Sequence, residues 1–285
     1  MLKRFKIFAK VAIILIFVLG LNHNCSKIEI RQFEEDWSFV VFGDLRQGYG
    51  VYSKLVIRMS MIEPTPEFAV CCGDIMTKPG NEVEWVNFWR YSKPITDKMP
   101  LFIVRGNHEG NNPASEQIFR EQTNISVENF YYSYFYNDSY FIILDTEIRK
   151  EEGSIVNEQL LWLTNQLDSV SQIPIINNIF VFMHRPIYPQ GRYKGNNLIN
   201  ADELHSLFLN YSKVKIIIAA HEHLFNKYER DRLIYITTGG AGAPLYHGYG
   251  GNYHHFLKVS FYQIDNKINI KTIGIFNEII EDFDL

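Results

Sequence analysis

The fold is organised around residues 101–110, Leu-Phe-Ile-Val-Arg-Gly-Asn-His-Glu-Gly, because an apolar run there leads straight into a glycine turn that carries polar side chains. An apolar run of this length that ends near a glycine is typical of a strand in a sheet covered on both faces. In open α/β sheets, the loops beyond the carboxyl ends of the strands form the ligand crevice. Asn107 and His108 are therefore predicted to lie in a binding site.

Four more apolar runs end in polar residues in the same way. They are Phe-Val-Val-Phe-Gly-Asp (39–44), Phe-Ala-Val-Cys-Cys-Gly-Asp (68–74), Ile-Phe-Val-Phe-Met-His (179–184) and Val-Lys-Ile-Ile-Ile-Ala-Ala (214–220), the last followed by His-Glu-His. Five predicted strands thus bring their polar ends to one edge. This arrangement predicts a single functional cluster rather than scattered polar residues.

The segments between these strands predict helices and further strands. Helical periodicity covers Tyr49–Ile62, Val83–Thr96 and Asn157–Val170, while residues 131–136 and 140–145 alternate as in a hairpin. Short strands are predicted at 227–230, 233–237, 256–262 and 268–275. We expect one α/β domain over residues 37–285, with two sheets packed face to face and helices outside. The polar stretch Tyr188–Asn200 is either a functional lid or a disordered insertion.

Composition excludes several classes of protein. The chain has 285 residues, 46% hydrophobic and 15% aromatic, which is ample for a folded core. Its formal charge of −4 gives no basic excess, so nucleic acid is not expected as a partner. Cys71 and Cys72 are adjacent in a predicted strand and point to opposite faces, so we expect core side chains rather than a disulfide.

Residues 1–30 are predicted to be a targeting segment and not part of the fold. Four basic residues precede the unbroken non-polar run Val11–Leu21, which is short for a membrane span of about 20 residues. A secretory signal fits better, and the domain is expected to be exported, to the periplasm or the cell surface. Cys25 loosely resembles a bacterial lipoprotein cleavage site, so a lipid tether, an uncleaved membrane anchor and an incidental cysteine all remain open. The sequence gives no prediction of oligomeric state.

The polar residues at the strand ends have the chemistry of metal ligands. Two carboxylates, one amide and three imidazoles suit Mn, Fe, Zn or Co, and the lack of thiolates argues against a structural zinc site. With six candidates, one of which can bridge, two metal ions can be held. Any one of these histidines alone would be interpreted as a structural residue, but the whole set would not. The candidates are Asp44, Asp74, Asn107, His184, His221 and His223.

These residues stand in motif blocks that resemble the calcineurin-like metallophosphoesterases, a family that includes the purple acid phosphatases. The resemblance covers roughly residues 37–245 and includes a late glycine turn, Gly-Gly-Ala-Gly-Ala-Pro, at 239–244. The blocks are Gly43-Asp44, Gly73-Asp74, Gly106-Asn107-His108-Glu109, Met183-His184-Arg185-Pro186 and Ala220-His221-Glu222-His223. The resemblance implies a four-layer αββα sandwich of two mixed β-sheets flanked by helices, with a dinuclear metal centre.

The resemblance also implies roles for single residues. Asp74 would bridge the two metals. Asn107, His184 and His221 would complete one site, and Asp44 with His223 would serve the other. His108 would be an acid or a phosphate contact, with Glu109 fixing its orientation. Independently of the family, two metals held by such a set can clamp phosphoryl oxygens and supply a hydroxide nucleophile near neutral pH.

One position departs from the family pattern. The first block is usually Asp-x-His, and here it is Asp44-Leu45-Arg46; an arginine cannot ligate a metal. Thr77 also stands where purple acid phosphatases carry a tyrosine ligand. Either substrate or water fills the vacancy and Arg46 contacts a phosphate oxygen, which we favour, or one site stays empty and the protein is a binding relic.

Two functions follow. The first is an exported metal-dependent phosphohydrolase that cleaves phosphomonoesters or phosphodiesters by attack of a metal-bound hydroxide, with His108 and Arg46 as its catalytic residues. The second is a non-catalytic, surface-tethered binding protein on a degenerate phosphoesterase scaffold. The expected partner is a small phosphoester or a phosphorylated substrate. The sequence does not choose between monoesters and diesters, and it does not identify the metals.

Overall fold

The computed structural model describes residues 35–125 and 128–285, which lie in one compact unit, Glu34–Leu285. Twelve strands, five α-helices and one short 3₁₀ helix, Gln263–Asp265, occur in this part of the chain. The strands are β1 Trp37–Phe42, β2 Ala69–Cys71, β3 Leu101–Ile103, β4 Tyr132–Tyr136, β5 Ser139–Ile143, β6 Asn178–Phe182, β7 Val214–Ala219, β8 Phe225–Arg230, β9 Leu233–Thr238, β10 His255–Tyr262, β11 Lys267–Gly274 and β12 Ile279–Asp284. The helices are α1 Tyr49–Ser60, α2 Glu82–Thr96, α3 Pro113–Thr123, α4 Asn157–Ser171 and α5 Ala201–Leu209.

The strands form two six-stranded mixed sheets. The first has the order β12-β11-β10-β1-β2-β3, with β1, β2 and β3 parallel, and the second has the order β4-β5-β6-β7-β9-β8, with β5, β6, β7 and β9 parallel. In the first sheet the three parallel strands include the outermost strand β3, and in the second sheet the four parallel strands are central. Because parallel strands end at the same edge of a sheet, their C-terminal loops collect there.

Three apolar cores separate four layers. One core lies between the sheets and contains Phe39, Val41 and Phe180, among others. A second joins the first sheet to α1, α2 and α3, and a third joins the second sheet to α4 and α5. Alternate residues of β1 enter different cores, with Val40 and Phe42 facing the helices. The αββα sandwich is therefore confirmed, and a strand covered on both faces explains the unbroken apolar runs.

Most elements agree with the sequence prediction within two residues. The adjacent Cys71 and Cys72 are buried in different cores as free thiols, as predicted. Helices α3 and α5 and strand β12 were not predicted. The start of α3 carried a signal in its sequence, because Asn112 caps it reciprocally with Ser115 and Pro113 is its first residue.

The predicted targeting segment, residues 1–30 with Cys25, lies outside the described residues. Within 35–125 and 128–285, none of the helices is long and apolar enough to cross a membrane.

Candidate metal centre

The six predicted ligands meet where the two sheets end. Asp44 follows β1, Asp74 follows β2 and Asn107 follows β3, so the first sheet contributes three of them. His184 follows β6, and His221 and His223 follow β7. The structure thus brings all six together just beyond the carboxyl ends of β1, β2, β3, β6 and β7. Their role as metal ligands remains a prediction.

The turns that present these side chains have unusual backbone conformations. Asp44, Arg46, Asp74 and His221 all have positive φ angles, of 58°, 42°, 55° and 70°. Such conformations are unfavourable for non-glycine residues and cluster at functional sites. Gly106 allows one close approach, because a Cβ atom there would lie 2.4 Å from the backbone nitrogen of Asp74.

One group of candidate ligands consists of Asp74, His184 and His221. His184 Nε2 lies 3.3 Å from Asp74 Oδ1, 3.1 Å from His221 Nδ1 and 3.1 Å from Asn107 Oδ1. The other ring nitrogen of His184 donates to the carbonyl oxygen of Cys72 at 2.8 Å. This bond aims Nε2 at the centre of the group, as outer hydrogen bonds do for metal-binding histidines.

A second group, Asp44, Asp74 and His223, shares Asp74 with the first. His223 Nδ1 donates to the carbonyl oxygen of Pro244 at 2.7 Å, which leaves Nε2 as an acceptor. That Nε2 lies 3.5 Å from Asp44 Oδ1, and both atoms are buried without a hydrogen-bond partner. Two buried acceptors that face each other require an explanation, and a cation between them supplies one. The donor set therefore fits two metal ions with a shared carboxylate.

The protonation of these groups reflects their burial. Burial and the neighbouring charge of Asp74 raise the pKa of Asp44 well above its usual value. Burial lowers the pKa of His221 to about 2 and that of His223 to about 4, so both imidazoles are neutral. Burial also raises the pKa of Asp74, but the charge of His184, the hydrogen bond from the backbone N–H of His108 and the charge of Arg46 outweigh it and bring the value to about 2. Neutral imidazoles and a carboxylate are the forms that bind metals.

Arg46 lies beside the second group and contacts Asp74, a member of that group, and His108. Its Nη2 is 3.4 Å from Asp74 Oδ2 and 2.5 Å from His108 Nε2. The expectation that Glu109 orients His108 is wrong: the Glu109 carboxylate is bound instead by the backbone N–H groups of Gly106 and of residues 74, 75 and 76. Glu109 therefore shapes the turn that carries Asp74, because its side chain is buried and faces four donors.

A glutamate that sequence reasoning did not use anchors the loop over the site. Glu222, fully buried between His221 and His223, accepts hydrogen bonds from the backbone N–H groups of Gln190, Gly191 and Tyr193 at 3.0, 2.9 and 2.9 Å. The stretch Tyr188–Asn200 is therefore tied to the segment that carries two candidate ligands.

Two tyrosines pack on the candidate ligands. The Tyr193 ring stacks on His221 at 4.9 Å, and the Tyr246 ring stacks on His223 at 4.5 Å. A cavity of about 430 Å³ opens beside Tyr193 and His221 and is lined in part by Asn107 and Arg185. The sequence signal for Tyr193 was only its place in a polar loop, and Tyr246 had no signal.

Comparison with known proteins assigns the family. The model of the calcineurin-like phosphoesterase family matches residues 38–225, which include all six candidate ligands. The chain belongs to this family. It is similar to purple acid phosphatase 23 of Arabidopsis thaliana, with 27% identity over 248 residues that cover 82% of this chain and 51% of that protein. It is also similar to the serine/threonine-protein phosphatase CPPED1 of Homo sapiens, with 25% identity over 58% of this chain and 56% of that protein.

The fold of this chain resembles that of a plant purple acid phosphatase. A purple acid phosphatase from yellow lupin superposes with a TM-score of 0.72 at 18% identity, covering 87% of this chain and 53% of the other. The predicted metallophosphoesterase family and its sandwich fold are confirmed. The chain spans about half the length of the curated relatives above.

Proposed function

We propose that this chain hydrolyses phosphoesters with two metal ions held by the two ligand groups. The observation that carries the proposal is the pair of buried, unpartnered acceptors Asp44 Oδ1 and His223 Nε2, next to a carboxylate shared with a second ligand group. Structural histidines and aspartates would be hydrogen-bonded to protein groups instead. Membership in a phosphoesterase family supports the same reaction class.

Each part of the site has a task in this reaction. When bound, the metals would polarise the phosphoryl group and lower the pKa of water. Asp74, His184, His221 and Asn107 would hold one ion, and Asp44, Asp74 and His223 the other. The guanidinium of Arg46, a quarter exposed beside Asp74, can bind a phosphate oxygen. The cavity beside His221 can receive the rest of the ester.

Metal content and hydrolysis together test the proposal. The full chain is loaded separately with Mn, Fe or Zn, freed of loose metal, and assayed with nitrophenyl phosphate and bis(nitrophenyl) phosphate. Asp74→Asn should lose metal from both groups and lose turnover, whereas Asp202→Asn, an exposed carboxylate on α5, should retain both. Equal turnover in Asp74→Asn and the unsubstituted protein would contradict the proposal.

A second candidate function follows from Arg46. Its guanidinium contacts Asp74 Oδ2 from the side of the second ligand group, where the family pattern has a neutral histidine. If that cation replaces the second metal, the protein is a phosphate-binding protein without turnover. Binding of inorganic phosphate with a single metal ion and no hydrolysis would favour this function over the first.

We also propose export of the domain, to the periplasm or cell surface, on the basis of the N-terminal sequence. Mass spectrometry of the N-terminal peptide tests it. An intact Met1 would exclude cleavage, and an unmodified Cys25 would exclude a lipid tether.

A further inference from the structure

The contact between Arg46 and His108 has a fixed direction. A guanidinium can only donate hydrogen bonds, so His108 Nε2 must accept from Arg46 Nη2. The other ring nitrogen, Nδ1, lies 2.8 Å from the carbonyl oxygen of Thr77, which can only accept. The hydrogen of the ring is therefore on Nδ1. Nε2, the nitrogen that faces the site, therefore carries a lone pair, and this lone pair accepts a hydrogen bond from Arg46.

Thr77 is held in turn by the first turn of α2. Its backbone N–H and its hydroxyl both donate to the Glu84 carboxylate, and Gln47, the neighbour of Arg46, donates to the same carboxylate at 2.9 Å. A continuous set of bonds thus runs from Glu84 through Thr77 and His108 to Arg46. Such supporting bonds fix the orientation of a functional group at a site.

We infer that His108 is a positioning residue that holds Arg46 as the phosphate-binding cation, and that the chain lacks a proton donor for the leaving oxygen at this position. The Arg46 guanidinium cannot supply that proton, because arginine stays protonated in proteins. It can only stabilise negative charge. This departs from the acid role that the family resemblance implies for His108.

If the chain hydrolyses phosphoesters as proposed above, the lack of a proton donor at this position determines which class of ester it cleaves. In hydrolysis, an oxygen of water bonds to phosphorus while the bond from phosphorus to the ester oxygen breaks. The ester oxygen leaves with the electron pair as an anion, and the proton of water passes to solvent. Without a proton donor, weakly basic leaving groups are favoured. We therefore expect aryl phosphates and phosphoanhydrides as substrates, rather than alkyl phosphates.

The first test is the binding of inorganic phosphate, measured by calorimetry on the full chain with and without metal. Arg46→Ala removes the guanidinium that would bind phosphate, and His108→Ala removes the acceptor that holds this guanidinium in place. Each should weaken phosphate binding about tenfold to a hundredfold, the size expected for one hydrogen bond to a charged group. His108→Gln offers an acceptor oxygen near the place of Nε2 and should recover a large part of the affinity. Arg90→Ala removes an exposed arginine of α2 and is the matched control.

The second test is the dependence of kcat/KM on the leaving group, from nitrophenyl through phenyl to methyl phosphate. The full chain should have a kcat/KM on methyl phosphate at least about 100-fold lower than on nitrophenyl phosphate. General acid catalysis typically contributes about 100-fold or more, and this contribution would be missing for the poor leaving group. His108→Ala should lose kcat/KM by the same factor on every ester, mainly through a higher KM.

Three results are decisive. A larger loss on methyl than on nitrophenyl phosphate in His108→Ala, with no recovery in His108→Gln, would restore the acid role and overturn the inference. Phosphate affinity that does not change in Arg46→Ala would also overturn it. If no ester is hydrolysed while phosphate binding follows the expected pattern, the proposed function fails and the positioning role of His108 is supported.

Discussion

Glu222→Gln tests how the candidate metal centre is built. The substitution keeps the size of the side chain but replaces one carboxylate oxygen by an amide nitrogen. In the structure, Oε2 accepts from the N–H groups of Gln190 and Gly191, and Oε1 accepts from that of Tyr193. The glutamine oxygen can serve the first pair, but its NH₂ group then faces the N–H of Tyr193. One buried donor is left without an acceptor.

The expected loss follows from these contacts. A hydrogen bond to a charged group contributes about 1.5–3 kcal/mol, and leaving a buried donor unsatisfied costs about 1–3 kcal/mol. Both figures count the lost bond of the Tyr193 N–H and therefore overlap, so we expect a loss of about 2–4 kcal/mol rather than their sum. For a domain of this size, each kcal/mol shifts Tm by about 2–4 °C. Glu229→Gln on the exposed strand β8 removes one half of a surface ion pair and should change stability by at most about 1 kcal/mol.

The assay combines Tm with limited tryptic digestion. Arg192 and Lys194 are exposed and flank Tyr193, so cleavage there reports whether the loop has left the site. Glu222→Gln should lower Tm by about 4–16 °C and accelerate cleavage at both bonds, and Glu229→Gln should change neither by a comparable amount. An unchanged Tm with unchanged cleavage would refute the assignment of Glu222 as the anchor of this loop.

Three further predictions concern the core and the titration of buried histidines. Phe39→Ala should reduce the free energy of unfolding by about 3–5 kcal/mol in urea titrations, because Phe39 is fully buried between the sheets. Burial lowers the pKa of His255 to about 4, below its unfolded value of about 6.5, so the unfolded state binds more protons between these values. The unsubstituted protein should therefore lose stability from pH 6.5 to 4 more steeply than His255→Gln, and equal slopes would contradict this. Burial lowers the pKa of His184, but Asp74 and Asp44 outweigh it and raise the value, so protons compete with metal. Metal affinity measured by equilibrium dialysis should accordingly fall from pH 7 to pH 5.

The strand framework could be predicted because both faces of the central strands are buried. Residues 39–42 give no alternation of polar and apolar side chains, yet the glycine and aspartate that follow mark the end of the strand. Helix α5 was missed although Ala201, Leu204 and Phe208 have helical spacing, because its first residues follow a polar loop without a capping bond. Strand β12 was missed because most of its residues are exposed and its pairing with β11 leaves no pattern in the local sequence.

The candidate site was predicted as a set of residues but not as a set of contacts. The positions of the six ligands follow from strand ends, which are local features of the sequence. The contacts of Glu109 and Glu222 with backbone N–H groups depend on turns that meet only in the folded chain. The bond from Arg46 to His108 joins residues 62 positions apart, so its direction could not be deduced from the motif blocks.

The number of metal ions per chain tests whether the two ligand groups form a shared metal centre. We would load the full chain with one metal at a time, remove loose metal, and measure content by mass spectrometry, with Asp44→Asn and Asp74→Asn in parallel. We expect two ions per chain, about one in Asp44→Asn, and fewer than one in Asp74→Asn, because Asp74 belongs to both groups. No bound metal in the unsubstituted chain, or the same content in all three proteins, would contradict the shared metal centre.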